Sequence, residues 1–256
     1  MNIYNFINYI IKTLHEELNQ PEQKDIDDYK IIDKTKKSLI FQNFMKNFTL
    51  NNQSLISDLF YSVSCNIVEC GNCYANIYNY QIYYFLLFSL EEILEFKSEK
   101  KFSSIINEIN IYDCFDYYCK ISIIDKENLF YCNNCKTNDK SSLKNNLVTG
   151  PEILILLLNK EKGFKYNIKI HFFEDINLYN YIEYKETGYI YRLIGVVKHI
   201  EKKSIGEDFI AYCKDPISYK WNKYCDKIVN EINNFENEVI NYGNPILLFY
   251  QKVNFF

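Results

Sequence analysis

Two short pairs of cysteines are the residues best placed to do chemistry. Cys70-Gly71-Asn72-Cys73 and Cys132-Asn133-Asn134-Cys135 each set two thiols two residues apart. A turn of that length aims both sulfurs at one point, and two such turns complete a closed tetrahedral shell for one structural zinc ion. Between Cys73 and Cys132 lie 58 residues, so a metal held there pins together two distant excursions of the chain. Gly71, Asn72, Asn133 and Asn134 suit such turns, because Gly and Asn tolerate left-handed backbone. Free thiols and a redox C-x-x-C are the competing readings, and the redox one lacks a surrounding βαβ pattern. Cys65, Cys114, Cys119, Cys213 and Cys225 remain, and most of these five read as small buried hydrophobes.

The composition around these pairs bounds the rest. Lys and Arg number 29 and Asp and Glu 33, a net charge of −4 that gives no electrostatic footprint for nucleic acid. With 48% apolar and 17% aromatic residues the 256-residue chain is expected to fold around a full core. The longest apolar run, Ile82–Phe88, is far short of the ~20 residues that cross a bilayer. The first residues lack the pattern of a secretory signal, so the expected place is the cytoplasm or nucleus, without a membrane. Nine cysteines in a reducing compartment are then read as metal ligands before disulfides.

The elements that must position the cysteines follow from periodicity. Ile3, Phe6, Ile7, Ile10, Ile11, Leu14 and Leu18 form a helical stripe that ends before Pro21, with His15 on the polar side. Asn19 to Asp33 reads as an exposed loop, and Ile40 to Phe48 as a second helix. From Tyr61 to Phe88, β-branched and aromatic residues alternate with polar ones, which predicts strands. Ile153–Leu158 suits a strand buried on both faces, and further strands are expected at Tyr166–Phe172, Tyr189–Ile200, Phe209–Cys213 and Ile246–Gln251. Helices first and a mostly antiparallel sheet afterwards make an α+β fold.

Several of these segments together resemble the catalytic domain of the ubiquitin-specific protease family of cysteine deubiquitinases. Ile7 to Leu18 is similar to a helix of the family's thumb, and Ser54 to Phe60 (SLISDLF) to its entry into the fingers. The two cysteine pairs match the family's finger zinc pairs in order. Gly150 to Ile155 resembles the Pro-x-Ile/Leu-Leu-Ile strand, followed by Leu158-Asn159-Lys160. Tyr189 to His199 resembles the Tyr-x-Leu-x-x-Val-x-x-His strand, Phe209 to Cys213 the strand after the catalytic His, and Trp221 to Val229 the Trp-x-x-x-Asp/Asn-Asp-x-x-Val stretch. Pro245 to Gln251 is similar to the closing strand. The resemblance implies a papain-like ubiquitin-specific protease domain truncated in its thumb: thumb helices over 1–60, zinc-stapled fingers over 61–150 and an antiparallel β palm over 151–256.

That family's chemistry needs a Cys nucleophile, a His that takes its proton, and an Asp or Asn that orients the His. The nucleophile box precedes the thumb helix in the family, so the segment is expected to be missing from this sequence. Where members carry Gly-His, this chain reads Gly206-Glu207-Asp208, which puts Asp208 at the position of the base. Cys225 stands at the orienting position, with Asp226 beside it. Gly71-Asn72-Cys73-Tyr74 mimics the nucleophile box with one residue deleted, but its place after SLISDLF assigns Cys73 to the zinc turn. His15, His171 and His199 read as surface or structural residues, so no catalytic residue is assigned. The expected protein is a catalytically inactive homologue that binds ubiquitin or ubiquitinated protein weakly or serves as a zinc-stapled scaffold. The alternative is a fragment of an active deubiquitinase whose nucleophile segment lies elsewhere. The truncated thumb edge, among Ile3, Phe6, Ile7 and Ile10, is expected to be exposed and to favour self-association.

Overall fold

The structure is a computed structural model that describes residues 3–21, 37–100, 107–124, 130–160, 168–185, 188–201, 207–241 and 244–253. In chain order it begins with helices α1 (Ile3–Leu18), α2 (Lys37–Asn51) and α3 (Leu55–Phe60). Strands β1 (Ser62–Cys70), β2 (Asn76–Tyr83) and β3 (Leu86–Ser89) follow, then α4 (Leu90–Lys100), β4 (Glu108–Asn110) and α5 (Ile111–Tyr118). Next come β5 (Ile121–Ile124), β6 (Phe130–Cys132), β7 (Thr137–Asp139), β8 (Ser141–Leu147), β9 (Ile153–Asn159), β10 (Lys169–His171) and β11 (Asp175–Asn177). The chain continues through β12 (Ile190–Glu201), β13 (Glu207–Lys214), β14 (Trp221–Cys225) and β15 (Ile228–Glu231), a π-helical turn at Glu236–Ile240, and β16 (Asn244–Lys252). The α+β class expected from the sequence is what is found.

These elements form two compact units. One comprises Met1–Tyr84, Cys119–Pro151 and Asn180–Thr187, and the other Phe85–Tyr118, Glu152–Tyr179 and Gly188–Phe256. Residues 85–118, which the sequence reading runs together with 61–150, thus fold with the second unit. Two helices, α4 and α5, interrupt the strands there, so the helices are not confined to the start of the chain. Each is short: Leu90, Ile93 and Leu94 carry the buried side of α4, and Ile111, Cys114 and Phe115 that of α5.

In the first unit α1 buries Ile7, Ile11 and His15, one ridge at a spacing of four. The neighbouring ridge of Phe6, Ile10, Leu14 and Leu18 stays exposed, Phe6 by 46% and Leu18 by 48%. This corrects two expectations: Ile7 faces the core, and His15 is buried. His15 Nδ1 lies 2.7 Å from Ser54 Oγ, and its ring packs 4.8 Å from that of Tyr61. Ser54 starts α3 with a reciprocal cap, accepting from Ser57 N at 3.0 Å while Ser57 Oγ accepts from Ser54 N at 3.0 Å. Phe41, Phe44 and Met45 of α2 pack on Val63, Cys65 and Val148. The sheet beneath is antiparallel throughout, in the order β2-β1-β8-β5, and β6 and β7 make a separate ribbon.

The second unit is built on a sheet ordered β15-β14-β13-β12-β16-β9-β3, with β11 paired to β12. Its interior strand β9 buries five consecutive residues, Leu154 to Leu158, as the uninterrupted apolar run predicts. β3 joins β9 in parallel, Leu86 opposite Leu156, and this is the sheet's one parallel pair among the described residues. Phe88 meets Phe115 of α5 edge to face at 5.5 Å. Tyr191, Tyr212 and Tyr250 are fully buried, and the Tyr250 hydroxyl donates to the Phe173 carbonyl at 2.8 Å. Of the strand expected at Tyr166–Phe172, Lys169–His171 is found, and residues 166 and 167 lie outside the described residues.

Candidate metal centre and the strands at the catalytic positions

β1 ends in Cys70, and the chain turns through Gly71–Cys73 before returning as β2; Cys132 to Cys135 turn between β6 and β7. The two turns bring four sulfurs together. Cys70 Sγ lies 3.8 Å from Cys135 Sγ and Cys73 Sγ lies 3.6 Å from Cys132 Sγ, and all four fall within 4.8 Å of one another. Four sulfurs placed tetrahedrally about 2.3 Å from a zinc ion stand about 3.8 Å apart, so the cluster fits one ion of that size. Cys70 and Cys132 are buried and Cys73 and Cys135 half-buried, which closes the shell and leaves no open position for substrate.

The turns are built alike. Tyr74 N–H donates to the Cys70 carbonyl at 2.9 Å, and Lys136 N–H donates to the Cys132 carbonyl at 2.7 Å. Tyr74 (φ 58°) and Lys136 (φ 57°) are the left-handed residues, and none of Gly71, Asn72, Asn133 and Asn134 takes a positive φ. The sequence expectation therefore placed the special backbone inside the turns, whereas it falls on the residue just after each second cysteine. What Gly71 supplies is space. Its N–H donates to the Lys140 carbonyl at 2.9 Å, and a Cβ there would stand 2.3 Å from that oxygen.

Polar side chains support the sulfurs from outside. The Thr137 hydroxyl lies 3.0 Å from Cys135 Sγ and draws that thiol down to about 6, while the Asn134 amide donates to Cys73 Sγ at 3.3 Å and lowers it as well. The Asn72 amide in turn donates to Thr137 Oγ1 at 3.3 Å. Such donors favour the thiolate, the form that binds metal. Reading for ligands alone missed Thr137, although a hydroxyl two residues beyond a ligating cysteine was the available signal. Cys73, the decoy of the nucleophile box, is an integral member of this cluster.

The positions matched to the triad lie in the second unit. Asp208 sits in β13 with its backbone paired to Ile200; its side chain and Gly206 lie outside the described residues. Cys225 ends β14 and pairs with Ile228 across the two-residue turn Asp226–Lys227. Because Ala211 stands opposite Tyr224, Asp208 and Cys225 fall near the same end of adjacent strands. Asp226 takes φ 51°, so it serves the hairpin turn as a short polar residue that tolerates left-handed backbone. His199 lies opposite Phe209 with ring centroids 5.5 Å apart, and His171 is exposed beside Glu108 at 3.2 Å. Lys198, next to His199, was not singled out by the sequence. It is fully buried, donates to the Glu238 carbonyl at 3.3 Å, lies 5.4 Å over the Tyr212 ring, and is pushed by desolvation down to about 8.

Of the remaining thiols, Cys65 and Cys114 are fully buried as expected, whereas Cys119 and Cys225 are half-buried and Cys213 is exposed on β13. Among the described residues no helix is long and apolar enough to cross a membrane.

Comparison with known proteins places these features in a family. The family model for ubiquitin carboxyl-terminal hydrolase matches residues 2–250. Ubiquitin carboxyl-terminal hydrolase Usp2 of Drosophila melanogaster is 22% identical over 256 residues, covering 96% of this chain and 25% of its own length. Ubiquitin carboxyl-terminal hydrolase 2 of Gallus gallus is 23% identical, with 96% of this chain and 66% of its own length covered. The chain thus spans only part of the relatives it matches. Among solved structures, a SAGA Ubp8/Sgf11/Sus1/Sgf73 DUB module superposes with a TM-score of 0.67 at 20% identity, over 99% of this chain and 51% of that one. A SAGA Ubp8/Sgf11/Sus1/Sgf73 DUB module without that structure's Ubp8 substitution and Sgf11 truncation, bound to ubiquitin aldehyde, gives a TM-score of 0.60 at 20% identity over 85% and 48%. These likenesses establish the fold.

Proposed function

The chain belongs to the ubiquitin carboxyl-terminal hydrolase family, and on that premise we propose that it binds ubiquitin or ubiquitinated protein without hydrolysing it, in the cytoplasm or nucleus. The residue that carries this reading is Asp208, which the family resemblance sets at the position of the proton acceptor and whose backbone lies in β13. A carboxylate accepts a thiol proton poorly near neutral pH, and its charge disfavours the thiolate that must attack. Cys225 at the orienting position adds a second departure. Ubiquitin is the ligand of the related module described as bound to ubiquitin aldehyde, which supports ubiquitin as the partner here. Zinc is the ion for Cys70, Cys73, Cys132 and Cys135, since a closed four-thiolate shell is its structural coordination. Self-association through α1 belongs to the same reading, with Phe6 and Ile10 presenting the surface and Ile7 inside.

The test is turnover of a fluorogenic ubiquitin C-terminal amide by the purified chain, together with a titration of labelled ubiquitin. We expect no turnover and binding on the order of tens of micromolar or weaker, set by a few well-packed anchors. Asp208→His alone should restore nothing, because catalytic residues act as a unit. Turnover by the unaltered chain would overturn the non-catalytic reading, and an unshifted ubiquitin spectrum at high micromolar protein would reduce it to a scaffold.

A further inference from the structure

The four sulfurs of the metal turns pair crosswise, Cys70 with Cys135 and Cys73 with Cys132, so that the first cysteine of one turn stands beside the second of the other. The asparagine before the second cysteine of each turn follows the same crossed pattern. Asn134, in the Cys132–Cys135 turn, sends its amide to Cys73 Sγ at 3.3 Å. Asn72, in the Cys70–Cys73 turn, sends its amide to Thr137 Oγ1 at 3.3 Å, and Thr137 Oγ1 stands 3.0 Å from Cys135 Sγ. Each turn is thus gripped by a side chain of the other.

On the zinc reading of the cluster, the direction of each bond follows. A thiolate that ligates zinc accepts hydrogen bonds and has no proton to give, so the Asn134 NH2 donates to Cys73 and the Thr137 hydroxyl donates to Cys135. A hydroxyl has one proton. With that proton committed to Cys135, the Thr137 oxygen has only lone pairs left, and the Asn72 amide donates to one of them. The Asn72 side chain therefore acts on Cys135 through Thr137. The sulfurs that receive these side-chain donors are also the ones solvent reaches: Cys73 and Cys135 are half-buried, whereas Cys70 and Cys132 are buried. A chelator or an entering water meets an outward sulfur first. Four thiolates around one zinc ion leave a double negative charge, which donors placed just outside the shell offset while they fix the sulfurs in place.

We infer that Asn134, and Asn72 acting through Thr137, are positioning residues that interlock the two turns and set how long zinc stays bound, by holding the two ligands at which its loss begins. Zinc release from the full chain to excess chromogenic chelator tests this, once metal analysis has measured the zinc content. Asn134→Ala and Thr137→Val should each speed release about three- to tenfold, and Asn72→Ala about twofold. All three side chains are exposed, so these changes leave the apolar core intact. Thr137→Ser keeps the hydroxyl and should release zinc at the wild-type rate. Because Asn72 and Thr137 act in series, Asn72→Ala added to Thr137→Val should change nothing further, whereas Asn134→Ala added to Thr137→Val should multiply the two effects. A second readout is the cobalt(II)-loaded protein. A donated hydrogen bond lowers the energy of the sulfur electrons, so the sulfur-to-cobalt charge-transfer band should move to longer wavelength in Asn134→Ala and Thr137→Val and stay in place in Thr137→Ser. A wild-type chain that takes up no zinc, even when incubated with the ion, would remove the zinc reading and this inference with it. Zinc that is bound but released by the variants at the wild-type rate, an unshifted band, or an Asn72 effect that persists in Thr137→Val would overturn the inference and leave the zinc reading standing.

Discussion

In β9 of the second unit five consecutive residues are buried, whereas in β2 of the first unit only Tyr83 is. The second unit has a continuous apolar core behind its sheet. In the first unit, Glu69 at the end of β1 and Tyr131 in β6 are exposed beside the buried Cys70 and Cys132, and four thiols gather there. Small excursions that cannot bury enough surface are stabilised by metal where larger sheets are stabilised by burial. The two units are therefore expected to fail under different insults.

The largest difference should come from stripping the metal. A structural four-thiolate site contributes on the order of 10 kcal/mol of apparent binding free energy, all of it local to the turns. With chelator, or in Cys132→Ser, amide exchange should accelerate in β6, β7 and the end of β1, while β9 and β16 keep their protection. Simultaneous loss in both units would erase the contrast. The reverse experiment is Phe115→Ala, which removes a ring with no exposed surface and should cost the second unit about 3–5 kcal/mol in urea denaturation, with metal content unchanged.

Smaller changes sharpen the same contrast. Gly71→Ala forces a Cβ toward the Lys140 carbonyl and should destabilise the metal turns by about 1–3 kcal/mol, read as weaker zinc retention against a competing chelator. Ser54→Ala removes the cap of α3 and the partner of His15, for about 1 kcal/mol in the first unit alone. The smallest effect is electrostatic. Arg192 grips Asp175 through two bonds, at 2.8 and 2.9 Å, and holds its carboxyl below the usual range. A lowered carboxyl stabilises the fold above its unfolded value of about 3.9, and that stability is lost as pH falls through the folded value. Both side chains are about half exposed, so Arg192→Ala should remove at most about 1 kcal/mol at pH 7, and less as pH falls through the folded value.

Much of this was legible in the residues. The spacing of the cysteines named all four members of the cluster, and the uninterrupted run Ile153–Leu158 named the buried strand. The left-handed Tyr74 and Lys136 were not legible, because neither residue type favours that backbone; the hydrogen bond closing each turn imposes it. His15 was misplaced because α1 carries two adjacent apolar ridges, and periodicity alone cannot say which faces inward. Helices α4 and α5 escaped because three buried apolar positions each make a weak periodic signal. The parallel pairing of β3 with β9 joins residues far apart in sequence, and no local pattern announces it.

The place of β16 governs the order in which the second unit can be made. Although it follows every other strand in the chain, it lies in the interior of the sheet, between β12 and β9. While the ribosome is still working toward residue 244, β9 with β3 and β12 with β13 are two separate half-sheets, each with an open flank where the last strand will lie. Nascent chains with such flanks are prone to pair with the wrong strand. A single insertion late in synthesis then joins both halves at once, so polypeptides released before residue 244 should be captured by chaperones or precipitate, and those released after residue 252 should fold.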